Sequence, residues 1–409
     1  MQLAINGGKP VRTKKFKPYN TIGNEEKIAV NRVLDEGVLS GFMGSWDEKQ
    51  FFGGKEVRQF ENNWSKFIDV KHTITVNSAS SGLHIALKAC DIKAGDEVIV
   101  SPFSMSVSAS APLLWGAKPV FADIDEKHYN ISPQSIKEQI TKKTKAIIVV
   151  HIFGCPADMD EIMEIAKDNN LCVIEDASQA PGALYKGKNV GSIGDIGIFS
   201  LNVHKHIQTG EGGICTTNSD EMALKMQLLR NHAEVVVKDI EREDLSDLIG
   251  FNFRLTEIQA AIATEQLKKL QKEIQIRQNY AKQYDDAFTA YTFLESTQLQ
   301  DRTHAYYIQG FRYYPERTGV PRKVFLDAVR AELTTVEKFE DDGVPIYDGY
   351  MRPLYKLPIF DSNECLPIVE EMYNNVLFFH DFTKSSLNQD DVNDVISAYK
   401  KVCDNIKEL

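Results

Sequence analysis

From about residue 75 to 220 the chain alternates short apolar runs with amphipathic stretches, and this rhythm limits its fold more than any other feature. "HTITV", "DEVIV", "KPVFADI", "KAIIVVHI", "LCVIED" and "IGIFSL" read as strands. Most are continuously apolar, the pattern of strands covered on both faces. Between them "SSGLHIALKAC", "SPQSIKEQI" and "DMDEIMEIAKDNN" carry helical spacing, with Ser132 and Asp158 placed as N-caps. A βαβ series of this kind predicts an α/β fold with a mostly parallel central sheet between helix layers. Beyond it, "LTEIQAAIATEQLKKLQKEIQIRQNYAKQYDDAF" runs without Gly or Pro and predicts a long bridging helix. The chemistry then changes to the strand "HAYYIQGFRYY", the helix "PRKVFLDAVRAEL", a Pro- and Tyr-rich segment and a closing helix "NQDDVNDVISAYKKVCDNI". The 409 residues therefore divide into a large domain, 1–265, and a smaller C-terminal α+β domain, 266–409.

With 47 basic and 58 acidic residues the formal charge is −11, which argues against nucleic acid or an anionic membrane as the main partner. No apolar run approaches a bilayer span. "MQLAINGGKPVRTKKFKPYN" has basic residues but no apolar core of a secretory signal, so the expected location is the cytoplasm. The six cysteines are far apart, and three lie in apolar runs where Cys acts as a small buried hydrophobe. A reducing compartment is the corresponding expectation.

Ligands of open α/β sheets lie beyond the carboxyl ends of the strands. There "TVNSASSGLHIAL" turns from strand to helix through small residues, and Ser78, Ser80 and Ser81 would surround a phosphate cradle or simply supply an N-cap. "CVIEDASQA" ends a strand on Glu175 and Asp176, either of which could hold a metal, a ribose or a ring nitrogen. Asp123 and Asp125 read as a turn and a helix cap. His204 and His206 flank Lys205 with metal-pair spacing, but His151 is the sole spare ligand and no metal site is expected. Lys205 by itself would be a solvated cation. Its coincidence with a phosphate-type turn, the strand-end Asp176 and "GEGG" fits a cofactor with a phosphate, a basic ring nitrogen and an aldehyde, which is pyridoxal phosphate. The glycines would supply positive φ and close packing.

The chain resembles the DegT/DnrJ/StrS family of pyridoxal-phosphate sugar aminotransferases over nearly its whole length. The likeness is carried in family order by "FGGKEVRQFENNW", "NSASSGLHIALKA", "GAKPVFADID", "HIFGCPADMDEI", "VIEDASQAPGALYKGKNVGSIGDIGIFS", "KHIQTGEGG", "LLRNHA" and "GFNFRLTEIQAAI". The resemblance implies the aspartate-aminotransferase fold, with Lys205 as the Schiff-base lysine and proton shuttle. It implies Asp176 against the pyridinium nitrogen and Gln179 near the ring hydroxyl. Ala79, Ser80 and Ser200 would hold the phosphate, Ala79 standing where the family has glycine. Asn252 of the partner subunit would reach the same phosphate, implying a homodimer with shared active sites. Met105 occupies the place of the family's stacking aromatic ring and would cover the cofactor through sulfur contact. Asn202 and His204 replace more typical neighbours of the lysine.

The activity so implied moves an amino group from glutamate or glutamine to a nucleotide-linked keto sugar in amino-sugar biosynthesis. A free keto-acid sugar or a cyclitol ketone is the alternative acceptor. A pyridoxal-phosphate dehydratase, or a regulatory protein that kept the fold, are the alternative classes. "GSWDEKQFFGGKEV" and "GVPIYDGYMRPLYKLPIF" read as substrate-closing segments, and Arg230, His304, Tyr306 and Tyr350 as substrate-pocket candidates.

Overall fold

The six apolar runs all become strands of one sheet in the computed structural model, which describes residues 2–360, 362 and 364–409. They are β1 (His72–Val76), β2 (Glu97–Val100), β3 (Lys118–Phe121), β4 (Thr144–Val150), β5 (Cys172–Asp176) and β6 (Ile196–Ser200). A seventh strand, β7 (Gly213–Thr217), is inserted between β1 and β6 and is antiparallel to both, giving the order β1-β7-β6-β5-β4-β2-β3. The remaining neighbours pair in parallel. Separate apolar clusters cover the two faces, with Ile148 and Ile174 in one and Ile147 and Val173 in the other. Adjacent residues on a strand point to opposite faces, so continuous apolar runs are what such a sheet requires.

Helix α1 spans Asn24–Glu36, α2 Lys55–Ile68 and α3 Ala79–Ala89. Ser78 caps α3 by accepting from the Ser81 N–H at 3.1 Å. Ser132 likewise caps the helix Pro133–Gln139. Asp158 makes no cap bond; its carboxylate pairs with His128 and Arg302 at 3.0 and 2.7 Å instead. The long helix α4 (Glu257–Phe288) opens on a capping box of Thr256 and Gln259. Beyond it a four-stranded sheet contains β8 (Leu294–Ser296), β9 (Gln309–Tyr313), β10 (Ile346–Asp348) and β11 (Leu377–His380). Its core also takes Leu3 and Phe16 from the start of the chain.

Cys90, at the C-terminal cap of α3, is bonded to Cys172, the first residue of β5. This departs from the reading of both as small buried hydrophobes in a reducing compartment: 82 residues separate the pair, yet α3 packs back across the sheet and brings the Cα atoms to 6.2 Å.

Candidate active site

The strand ends converge as sheet topology demands. Val150 pairs with Asp176, Asp176 with Ile198, and Gly213 with both Val76 and Ser200. Their loops enclose a cavity of about 400 Å³, reached by the sequence candidates Ala79, Ser80, Met105, Asp176, Gln179, Ser200, Lys205 and Tyr350.

Lys205 sits on a loop tied at both sides. Leu201 donates to Gly212 O at 2.9 Å, Val203 to Gly210 O at 3.0 Å, and Lys205 N–H to Asn202 O at 2.9 Å. Gly210 has φ +81°, a conformation that needs glycine. Gly213 needs glycine for a different reason. A Cβ there would lie 2.4 Å from the Ser78 carbonyl carbon and 2.5 Å from Ala79 N, so only a bare backbone lets β7 pack against the start of α3. The first-turn N–H groups of Ala79 and Ser80 stand where no intrahelical carbonyl reaches them, which makes that turn an anion cradle. Burial pushes the Lys205 amine down to about 8, and the Asp176 carboxylate opposes that shift.

Consecutive strand positions separate the two acids. Glu175 is fully buried and saturated, accepting from Gly191, Ile193 and Gly194 N–H at 2.8, 2.7 and 2.6 Å and from His151 Nε2 at 2.9 Å. His151 accepts the Ala157 N–H on its other nitrogen, so it too is structural. Asp176 faces the cavity with sparse company: Ser178 N–H at 3.1 Å and Ser108 Oγ at 3.5 Å. A buried carboxylate so weakly partnered suits a protonated ring nitrogen. Gln179 is held by Phe153 N–H at 2.7 Å on its oxygen and donates to the Tyr350 hydroxyl at 3.0 Å.

Other candidates lie elsewhere. Asn252 is exposed, bonded to Arg254 at 2.8 Å, and does not line the cavity of its own chain. Arg230 has no exposure: it pairs with Glu61 at 2.7 Å and holds the Thr75 and Phe52 carbonyls at 3.1 and 3.3 Å. It is a core residue, not a pocket cation. It also ties down the segment proposed from sequence as a closing loop, whose Phe51 is buried. His304 and Tyr306 stack on one another at 4.0 Å and line a separate space with Phe153 and Gln309. Burial holds the His304 ring down at about 3. Tyr306 has φ +49°, and this turn carries the next side chain, Tyr307, into the cavity. Its ring lies 4.4 Å from the Lys205 amine. Tyr307 was missed by one residue, and the doubled "YY" was its signal. Ser104 and Ser106 also line the cavity, and the serine-rich "SPFSMSVS" announced them. His204 is exposed, whereas His206 is buried with Nε2 donating to Ala305 O at 2.8 Å. Among the described residues no three His, Cys, Asp or Glu side chains gather as a metal site, and no helix is long and apolar enough to cross a membrane. Asp123 caps a short helix through Ile368 and Val369 N–H at 2.9 and 3.0 Å, and Asp125 forms a turn with Lys127 N–H at 2.7 Å.

Residues 35–400 match the DegT/DnrJ/EryC1/StrS aminotransferase family. The chain is 33% identical over 398 residues to the spore coat polysaccharide biosynthesis protein SpsC of Bacillus subtilis, covering 95% of this chain and 97% of SpsC. It is similar to the crystallographically solved aminotransferase from Psychrobacter cryohalolentis, with TM-score 0.84, 33% identity, and 96% and 100% of the two chains covered. The corresponding figures for Helicobacter pylori PseC, an aminotransferase involved in the biosynthesis of pseudoaminic acid, are 0.80, 26%, 96% and 100%.

Proposed function

The chain belongs to the DegT/DnrJ/EryC1/StrS aminotransferase family, and from that premise we propose that it transfers the amino group of glutamate or glutamine to a nucleotide-linked keto sugar. It is an aminotransferase of amino-sugar biosynthesis, and its cofactor is pyridoxal phosphate. The observation that carries the reading is the meeting of an amine, a sparsely bonded buried carboxylate and an open helix N-terminus in one cavity.

Those residues fit the cofactor. Ala79 and Ser80 N–H groups, with the Ser200 hydroxyl, would hold its phosphate. Asp176 would keep its ring nitrogen protonated, and Gln179 would stand near its hydroxyl. Met105, exposed at the cavity edge, would cover the ring by a polarisable contact. When bound, pyridoxal phosphate supplies the aldehyde that carries the amino group and the ring that accepts the electron pair. Lys205 would hold the cofactor covalently. Once freed, its amine, with affinity for protons already reduced, would take a proton from the donor carbon that loses nitrogen and deliver one to the acceptor carbon that gains it. Tyr350 is the proposed substrate contact, through its hydroxyl beside Gln179.

The reading includes a homodimer in the cytoplasm, with Asn252 of the partner subunit completing each phosphate site. Ile28, Leu34, Val38, Leu39 and Met43 form an exposed apolar series on α1 and the segment after it, which supports such an interface. A division into domains at 265/266 falls inside α4. The test is visible absorbance of the purified protein before and after excess L-glutamate or L-glutamine. A yellow band that bleaches with either donor supports the assignment. A band that neither donor changes removes these donors, and the absence of any band after added pyridoxal phosphate overturns it.

A further inference from the structure

Arg277, on α4, is a fully buried cation, and the Tyr19 hydroxyl near it also meets the carboxylate of Glu273, one turn earlier on α4, at 3.2 Å. Among the described residues no carboxylate lies within ion-pair distance of the guanidinium itself. Nε and Nη2 have no hydrogen-bond partner among the described residues. Burying a guanidinium in this way is costly, and a well-packed apolar residue would serve stability better. The bonds it does make all lead to one place. Nη1 donates to the carbonyl oxygens of Tyr306 and Tyr307 at 3.0 and 3.2 Å. Its guanidinium lies 5.1 Å from the centre of the Tyr19 ring, and the Tyr19 hydroxyl donates to His206 O at 2.6 Å. Tyr307 N–H donates in turn to Phe153 O at 2.8 Å, so the ring facing Lys205 is fixed from both sides of its peptide.

We propose that Arg277 is a positioning residue for Lys205: it seats the Tyr307 ring against the lysine amine and, by stacking on Tyr19, anchors the backbone of the following residue, His206. A ring face 4.4 Å from the amine attracts its charged form and limits where the side chain can rest. Misplacing either element by an ångström would disturb a proton transfer that depends on reach. The inference rests on the assignment of Lys205 as the reacting amine. The other charged or titratable groups lining the same cavity are Asp176 on β5, His204 and Glu211 on the lysine loop, and Tyr350.

The test uses the full chain freed of cofactor. Pyridoxal phosphate is added at a series of pH values, trapped with borohydride, and the labelled peptide is quantified by mass spectrometry, giving a pH midpoint for Lys205. Failure of wild type to label at Lys205 would refute the active-site reading itself, separately from the role of Arg277. Tyr307→Leu keeps an apolar wall but loses the ring face, and its midpoint is expected to fall by about half a unit or more. Tyr307→Phe should stay within about 0.2 units of wild type, because the face remains. Arg277→Met should move the midpoint by at least about half a unit alone and by nothing further when combined with Tyr307→Leu, because the two act in series. A purely structural arginine would lower thermal stability and leave the midpoint of the folded protein in place; that result, or equal shifts in both backgrounds, overturns the proposal. Should Arg277→Met not fold, Arg277→Lys is read by the same criteria, since an ammonium lacks the planar guanidinium that lies over the Tyr19 ring.

Discussion

Glu175 and Asp176 are adjacent on β5 and have opposite surroundings: Glu175 receives four hydrogen bonds in the core, while Asp176 faces the cavity with the Ser178 N–H at 3.1 Å and the Ser108 hydroxyl at 3.5 Å. Their substitutions should separate stability from chemistry. Asp176→Asn is expected to leave stability within about 1 kcal/mol of wild type and to lower kcat by roughly a hundredfold or more, through loss of the protonated ring nitrogen. Glu175→Gln should cost about 2–4 kcal/mol, because buried charge-assisted bonds are lost. Urea denaturation and steady-state kinetics on both variants give the comparison.

The Lys205 amine, lowered from its ordinary value to about 8 by burial, predicts a pH dependence with a definite sign. Capture of pyridoxal phosphate by cofactor-free protein should rise with pH through about 8 and then level, since only the neutral amine attacks. Between about 8 and the usual lysine value the unfolded chain binds more protons than the folded one. This residue therefore adds stability as pH rises across that window and costs stability below it. Lys205→Ala should remove both the capture and this part of the stability profile, as read by stopped-flow absorbance and thermal melts.

The two special glycines should fail differently. Gly213→Ala drives a Cβ into the Ser78–Ala79 peptide, so α3 must shift and affinity for pyridoxal phosphate should fall about tenfold or more. Gly210→Ala meets open space but holds φ +81°, so it should cost about 1 kcal/mol of stability with affinity largely kept. Fluorescence titration of the cofactor-free variants distinguishes them.

The proposed sharing of sites between subunits predicts complementation between impaired variants. Lys205→Ala and Asn252→Ala, each inactive or impaired alone, should form mixed dimers with one intact site. Unfolding and refolding a 1:1 mixture should restore about a quarter of wild-type activity. No recovery in dimers shown to be mixed would place Asn252 outside the neighbouring site.

The link between Cys90 and Cys172 closes a loop of 82 residues, so reductant or Cys172→Ser should lower stability by about 2–4 kcal/mol. A peptide map without reductant should contain the joined pair.

Much of this architecture was legible because burial on both faces writes itself as unbroken runs such as "AIIVV" and "CVIED". Strand β7 was not, since "GICTT" is short, opens on glycine and ends on two threonines whose hydroxyls donate to the Gly191 and Asp195 carbonyls of the loop before β6. The proposed site residues Lys205 and Asp176 could be placed at strand ends from the order of apolar runs, while their roles came from the neighbouring motifs and the family resemblance. Of those that reach the cavity from the C-terminal part, Tyr350 was named from its aromatic segment and Tyr307 was not. The single positive φ at Tyr306 decides which of two tyrosines enters, and local sequence does not encode it. Arg230 and Arg277 show the same limit: both are fully buried, and only the fold tells which carbonyls they hold.

The antiparallel return of β7 gives the lysine loop two anchored ends, each fastened into the same sheet within a few residues of Lys205. Such a loop cannot swing as a lid. The travel that the proposed proton carrier needs would then come from rotation about the lysine's own methylene bonds, so its working stroke would be the length of one side chain, measured from a stationary backbone.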